Sequence, residues 1–242
     1  MSERQLMVKI RRDVDTCIDV WTEILLGRFQ ENIEYLYAKG SSVKPWGGII
    51  DYVPTLSDVD IHIKTVDDFR LFQGNSDGFR QSLEITEEYE DKFKKENPEH
   101  MHIPRTQIVQ VNRFINDPDF INPASTDNVK ILYGNPEFTS QEDNSRIPII
   151  DMKNLMELEV TLDTLPLNAV DRVGLDLWQL IRRLCWLVSP TPVRLLTQLE
   201  DHPEEVWNWN RTTICRKLID HNYDDLAEEY SQYLSLIHIS EP

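Results

Sequence analysis

The segment Ser57-Asp-Val-Asp-Ile-His-Ile63 alternates polar and apolar side chains. A period of two fits an extended strand with one buried face and does not fit a helix. Val59, Ile61 and Ile63 then point to one side, and Asp58, Asp60 and His62 to the other. A strand with an apolar face needs neighbouring strands and a second layer to cover it, so the chain is committed to a layered fold. Same-face neighbours lie roughly 6–7 Å apart along a strand. Two carboxylates at that spacing repel one another unless something positive neutralises them.

A packing element is legible upstream. From Val8 to Leu26 the apolar residues Val14, Cys17, Ile18, Trp21, Ile24 and Leu25 recur every three or four positions, predicting an amphipathic helix that ends near Gly27. Ile33-Glu-Tyr-Leu-Tyr-Ala-Lys-Gly40 is rich in β-prone residues and closes in Gly-Ser, predicting a strand. A loop with Pro45, Gly47, Gly48 and Pro54 separates it from the alternating strand. Asp77 to Glu96 is charged and helix-prone and stops at Asn97-Pro98, which predicts a solvent-facing helix. Thr106 to Phe114 and Asn128 to Tyr133 read as two further strands.

After about residue 150 the pattern changes to helical spacing. Leu155, Leu158, Leu162 and Leu165 form one run, with a strand over Glu157 to Leu162 as the alternative. A second run, Val173 to Leu187, has Asn168 as its expected cap and is broken by Ser189-Pro-Thr-Pro192. Thr191 is the expected cap of the next helix, with Pro192 in its first turn. Helices from Pro203 to Leu218 and from Asp224 to Tyr233 follow, and Trp178, Trp186, Trp207 and Trp209 are expected in the core or lining a cleft. Residues 234–242, Leu-Ser-Leu-Ile-His-Ile-Ser-Glu-Pro, match the translation of a transposase sequencing adapter and are set aside from the fold. The expected fold is α+β: a small mixed β-sheet domain with flanking helices over residues 1–150, then a helical bundle domain over residues 151–233.

Composition narrows the partners. With 25 Lys and Arg against 42 Asp and Glu the formal charge is −17, which repels phosphate backbones and disfavours a nucleic-acid partner. Cationic molecules are electrostatically easier ligands. No run approaches the ~20 apolar residues of a membrane helix. The three cysteines, Cys17, Cys185 and Cys215, are too scattered for a disulfide framework or a zinc knuckle and read as buried fillers. A soluble cytoplasmic protein with no membrane partner is expected; its oligomeric state is open.

Asp-x-Asp alone says little, since Asp13-Val-Asp15 and Asp117-Pro-Asp119 occur in the same chain. Asp58 and Asp60 differ in lying on one face of a strand. Hard carboxylate oxygens suit Mg²⁺, which completes its shell with water and substrate phosphates. The preceding strand ends in Gly40-Ser41, whose amides can approach phosphate oxygens closely because glycine lacks a Cβ. Lys44 stands just beyond and can neutralise a triphosphate, and Ser57 opens the carboxylate strand.

In these residues, Tyr37-Ala-Lys-Gly40-Ser41 followed by Ser57-Asp58-Val-Asp60-Ile-His-Ile, the chain resembles the polymerase-β-like nucleotidyltransferase superfamily, which includes the aminoglycoside nucleotidyltransferases. The resemblance spans roughly residues 33 to 134. It implies a nucleotidyltransferase-like first domain in which Asp58 and Asp60 hold two Mg²⁺ ions and Gly40 and Ser41 contact the β- and γ-phosphates of a nucleoside triphosphate. The implied reaction moves a nucleoside monophosphate to a hydroxyl of a small, cationic acceptor, or to a protein, with pyrophosphate leaving.

The chain departs from the family pattern in two places. The linker from Ser41 to Asp58 is extended by Lys44 to Pro54, where Trp46 and Tyr52 either stack on a base or pin the loop to the body. The family's third carboxylate is also missing, and Gln110 or Asn112 is expected in its place. Amides bind Mg²⁺ more weakly than carboxylates and cannot serve as a base. Glu157 and Glu159, with Asp163, are candidates for a general base, or else form a solvated helix face. The rival reading is a catalytically degenerate nucleotidyltransferase fold acting as a binding or regulatory module.

Overall fold

The computed structural model describes residues 2–54, 56–114, 128–136, 145–170 and 173–236. The chain divides into two compact units, Met1–Phe120 with Ala124–Phe138, and Ile121–Pro123 with Thr139–Pro242.

The first unit is a four-stranded mixed sheet backed by two helices. Helix α1 (Glu3–Phe29) opens with a reciprocal cap in which the Ser2 hydroxyl accepts from Gln5 N–H and the Gln5 amide accepts from Ser2 N–H. Strands β1 (Ile33–Lys39), β2 (Val59–Thr65), β3 (Thr106–Gln110) and β4 (Lys130–Tyr133) are ordered β3-β2-β1-β4. β1 runs antiparallel to both β2 and β4, and β3 runs parallel to β2. The parallel step is made through α2 (Ser76–Glu96), capped by the Asn75 side chain on Gly78 N–H. Val59, Ile61 and Ile63 are fully buried against Val14, Ile18 and Leu25 of α1 and Ile85 and Phe93 of α2. Each such side chain contributes about 1.5–3 kcal/mol by leaving water. Trp21 stacks on Tyr89 at 4.8 Å between ring centres, joining the two helices.

Several boundaries in this unit differ from the sequence expectation: α1 begins at Glu3 ahead of Val8, and β4 at Lys130 after Asn128. α1 continues past Gly27 because Phe29 packs into the core. β3 stops at Gln110, not Phe114. There the Asn112 side chain accepts from Thr65 N–H and donates to Thr65 O, replacing the backbone pairing that a longer strand would make.

All regular elements described in the second unit are helices: α3 (Ile147–Ala169), α4 (Leu175–Val188), α5 (Thr191–Leu196), α6 (Pro203–Val206), α7 (Arg211–Asp220) and α8 (Asp224–Leu236). Buried Asp151 on α3 accepts from the Thr197 hydroxyl and the Trp207 indole, both at 2.9 Å, tying three segments together. The alternative strand over Glu157 to Leu162 is helix. Asn168 lies inside α3 and is not the cap of α4, which starts after Gly174. Thr191 is already helical, its hydroxyl bonded to Leu187 O, while Pro192 takes the first-turn place expected of it. The stretch from Pro203 to Leu218 is two helices, because the Asn210 side chain caps α7 on Thr213 N–H. Trp178 and Trp186, expected to be sheltered, are exposed. α8 runs through Leu236 and fully buries Leu234, so the first of the residues set aside take part in packing; residues 237–242 lie outside the described ones. Among the described residues no helix is long and apolar enough to cross a membrane.

Candidate active site

The site grows out of the hairpin between β1 and β2. The antiparallel register places Lys39 opposite Asp60, so the chain leaving β1 turns directly beside the carboxylate strand. Gly40 makes that turn with φ +81°, a left-handed conformation, and a Cβ there would lie 3.0 Å from Asp60 Oδ2. Dihedral and contact both demand glycine. Gly40–Ser42 form one 3₁₀ turn, with the amides of Val43 and Lys44 donating to Gly40 O.

The extended linker is held from below by α1. The Arg11 guanidinium donates to Ser42 O at 2.5 Å and Lys44 O at 2.8 Å, and lies over the Trp46 ring at 3.5 Å. The Trp46 indole donates to Ser41 O at 2.8 Å, and its ring stacks on Tyr52. Trp46 and Tyr52 therefore pin the loop. Ser57 is buried, and its hydroxyl accepts from Val53 N–H at 3.0 Å, fixing the entry to β2.

Asp58 and Asp60 share one face, as the alternation requires. Arg105, immediately before β3, donates to Asp58 Oδ2 at 2.8 Å. Burial, then the neighbouring Asp58 charge, push the Asp60 carboxyl up to about 7, against the pull of Lys39 and Arg105. Burial also lowers the Lys39 ammonium, and Asp60 partly offsets this. His62 is buried and paired through Nδ1 with the Tyr37 hydroxyl at 3.2 Å. Burial and Lys39 hold its ring down to about 3, so it is neutral at physiological pH.

β3 adds amide side chains next to this carboxylate pair. The parallel register sets Gln107 beside Asp60, whereas the Gln110 amide donates to Thr65 Oγ1 and Phe69 O, and Asn112 is bonded to Thr65 and Asp68. Gln107 is thus the residue of β3 in register with Asp60, while Gln110 stands beside Ile63. Gln107 also borders a pocket of about 430 Å³ along β3, lined by Phe72, Val109, Arg113 and Phe114 among others. Among the described residues no group of three or more His, Cys, Asp or Glu side chains is placed to hold a metal. Glu157, Glu159 and Asp163 lie exposed on α3 of the second unit. Asp117 and Asp119 fall outside the described residues.

Two hard carboxylates, Asp58 just before β2 and Asp60 on it, with Asp60 pushed toward protonation by burial and by Asp58, form a pair that a divalent cation would stabilise. The fit is that of a site supplying two protein oxygens and leaving the rest of the shell to water and phosphate. Sequence reasoning missed Arg105, Lys39 and Arg11. Lys39 was in view as the residue before Gly40, but Arg105 reaches Asp58 only through the parallel register, which no local pattern reveals.

No protein-family model matches the chain. No curated protein and no solved structure matches it either.

Proposed function

We propose that the chain is a polymerase-β-like nucleotidyltransferase: its first unit binds a nucleoside triphosphate as the Mg²⁺ complex and transfers the nucleoside monophosphate to a hydroxyl of a small cationic molecule. The observation that carries this reading is Gly40 in a left-handed turn against Asp60, which sets the Gly40-Ser41 turn beside the two carboxylates. Asp58 and Asp60 are the residues that would hold Mg²⁺. The ion, when bound, supplies charge neutralisation for the α-phosphate and the departing pyrophosphate. The Gly40-Ser41 turn orients the phosphate chain, Arg11 keeps that turn in place, and Arg105 is free to move from Asp58 to a phosphate oxygen. The acid excess of the whole chain favours a cationic acceptor and disfavours a polynucleotide one.

A second reading has its own observation. Gln107 beside Asp60 supplies an amide where an active site of this kind needs an acid. It favours a module that binds the triphosphate without transferring it.

The test incubates the protein with Mg²⁺, each labelled triphosphate in turn and a panel of hydroxyl-bearing cationic acceptors. Labelled product and released pyrophosphate are expected, and both should disappear in the Asp58→Asn, Asp60→Asn double variant. Turnover that persists in that variant sinks the site. Triphosphate binding without turnover, lost in the same variant, selects the second reading.

A further inference from the structure

Two exposed apolar stripes run along α3 and α4 of the second unit, helices that pack on one another. On α3 the stripe is Ile149, Met152, Met156, Val160 and Leu167; on α4 it is Leu175, Trp178 and Trp186. The spacings are three, four or seven residues on α3 and three and then eight on α4, so each set lies on one side of its helix. The eight side chains are between 42% and 81% exposed. Together they bare on the order of 1,000 Å², against roughly 300–600 Å² for the largest apolar patch of an ordinary monomer and about 800 Å² per partner in a stable interface.

Charge selects the occupant. Each stripe contains one charged, exposed residue, and the two are opposite in sign: Asp163 on α3 and Arg182 on α4. Packing α3 of one molecule on α4 of another sets acid against base. A twofold axis repeats that pairing with the helices exchanged, as a self-complementary interface requires.

We propose that the α3–α4 face is the surface through which two copies of this chain pair, α3 of each against α4 of the other. Trp178 and Trp186 are the anchors, and Asp163 with Arg182 sets the register. The inference does not depend on the activity assigned to the first unit.

Sedimentation of the full chain over a range of concentrations tests it. The expected result is a reversible shift from 28.5 kDa to twice that mass. Trp186→Ala should weaken pairing by roughly 30-fold, the scale of an interface hot spot. Asp163→Arg and Arg182→Asp should each weaken it, and the two together should restore it. All three changed positions are exposed, and circular dichroism checks that each variant keeps its helices. A monomer at every concentration, or a dimer indifferent to all these variants, overturns the proposal. So does a dimer that the combined charge exchange fails to restore.

Discussion

The same substitution, glycine to alanine, should act with opposite signs at two positions of the first unit. Gly27 lies within α1, and a Cβ added there meets nothing within 4 Å. Alanine at that place lowers the entropy of the unfolded chain and favours the helix, so Gly27→Ala should stabilise by about 0.5–1 kcal/mol. Gly40 holds φ +81° with Asp60 Oδ2 3.0 Å from the position of a Cβ. A left-handed alanine costs about 1–2 kcal/mol, and the contact adds to that by forcing either the turn or the Asp60 carboxylate to move. Gly40→Ala should therefore destabilise the unit by about 2 kcal/mol and should weaken binding of the Mg²⁺-triphosphate complex at least about tenfold, equivalent to ~1.4 kcal/mol. Urea unfolding read by hydrogen exchange on peptides from α1 and β1 separates this unit from the second one. If both variants shift stability in the same direction, or if Gly40→Ala binds triphosphate like the parent, the reasoning that ties the turn to Asp60 is wrong.

Other outcomes follow from neighbouring contacts. Arg11→Ala removes two hydrogen bonds and the contact over Trp46, so the linker from Ser41 to Ser57 should become the first site of limited proteolysis while circular dichroism stays unchanged. Gln107→Glu places an acid beside Asp60; it should lower stability without Mg²⁺ and raise Mg²⁺ affinity about tenfold, read by calorimetry. Asp13 on α1 is buried and accepts from the Asn97 amide, the Met101 and His102 N–H groups and His102 Nδ1. Burial pushes its carboxyl up, but the His102 ring and the two backbone amides together outweigh burial and hold it below the usual range. The stability it contributes is thus present above the unfolded carboxylate pKa of about 4 and is lost as pH falls through the lower folded value. Asp13→Asn should cost about 2–3 kcal/mol at neutral pH, and the gap to the parent should shrink on acidification.

What could be read from the sequence was what repeats locally. The alternation around Asp58 and Asp60 gave a strand and its buried face, and the Gly-Ser after β1 gave the turn beside it. The end of β3 was hidden because it depends on Asn112 bonding across to Thr65, a contact 47 residues away in sequence. Gln107 was overlooked for the same reason: which residue of β3 stands beside Asp60 depends on register, and Ile108 and Val109 do not alternate strongly enough to fix it. Trp178 and Trp186 share helical spacing with buried residues, but spacing identifies a side of a helix and not whether anything covers it. The break between α6 and α7 was written in Asn210, an ordinary capping residue inside a run that otherwise reads as continuous helix.

Arg105 makes the apo site more than a pair of acids. Two carboxylates, Asp58 and Asp60, stand near two cations, Arg105 and Lys39, which offset them in part. A divalent ion alone must compete with Arg105 for Asp58 and would leave the guanidinium without a partner, which makes unassisted Mg²⁺ binding weak. A triphosphate alone meets the two carboxylates and is repelled. On the proposed function, phosphate oxygens would give Arg105 a new acceptor and Asp58 would be released to the metal, so both obstacles would fall in one event. Mg²⁺ and triphosphate should therefore each raise the affinity for the other by the same factor, as linkage demands. Arg105→Ala should remove much of that mutual gain by strengthening Mg²⁺ binding alone and weakening triphosphate binding in its presence. Independent binding of the two in the parent protein would mean that Arg105 stays on Asp58 throughout and that the carboxylates are not the metal site.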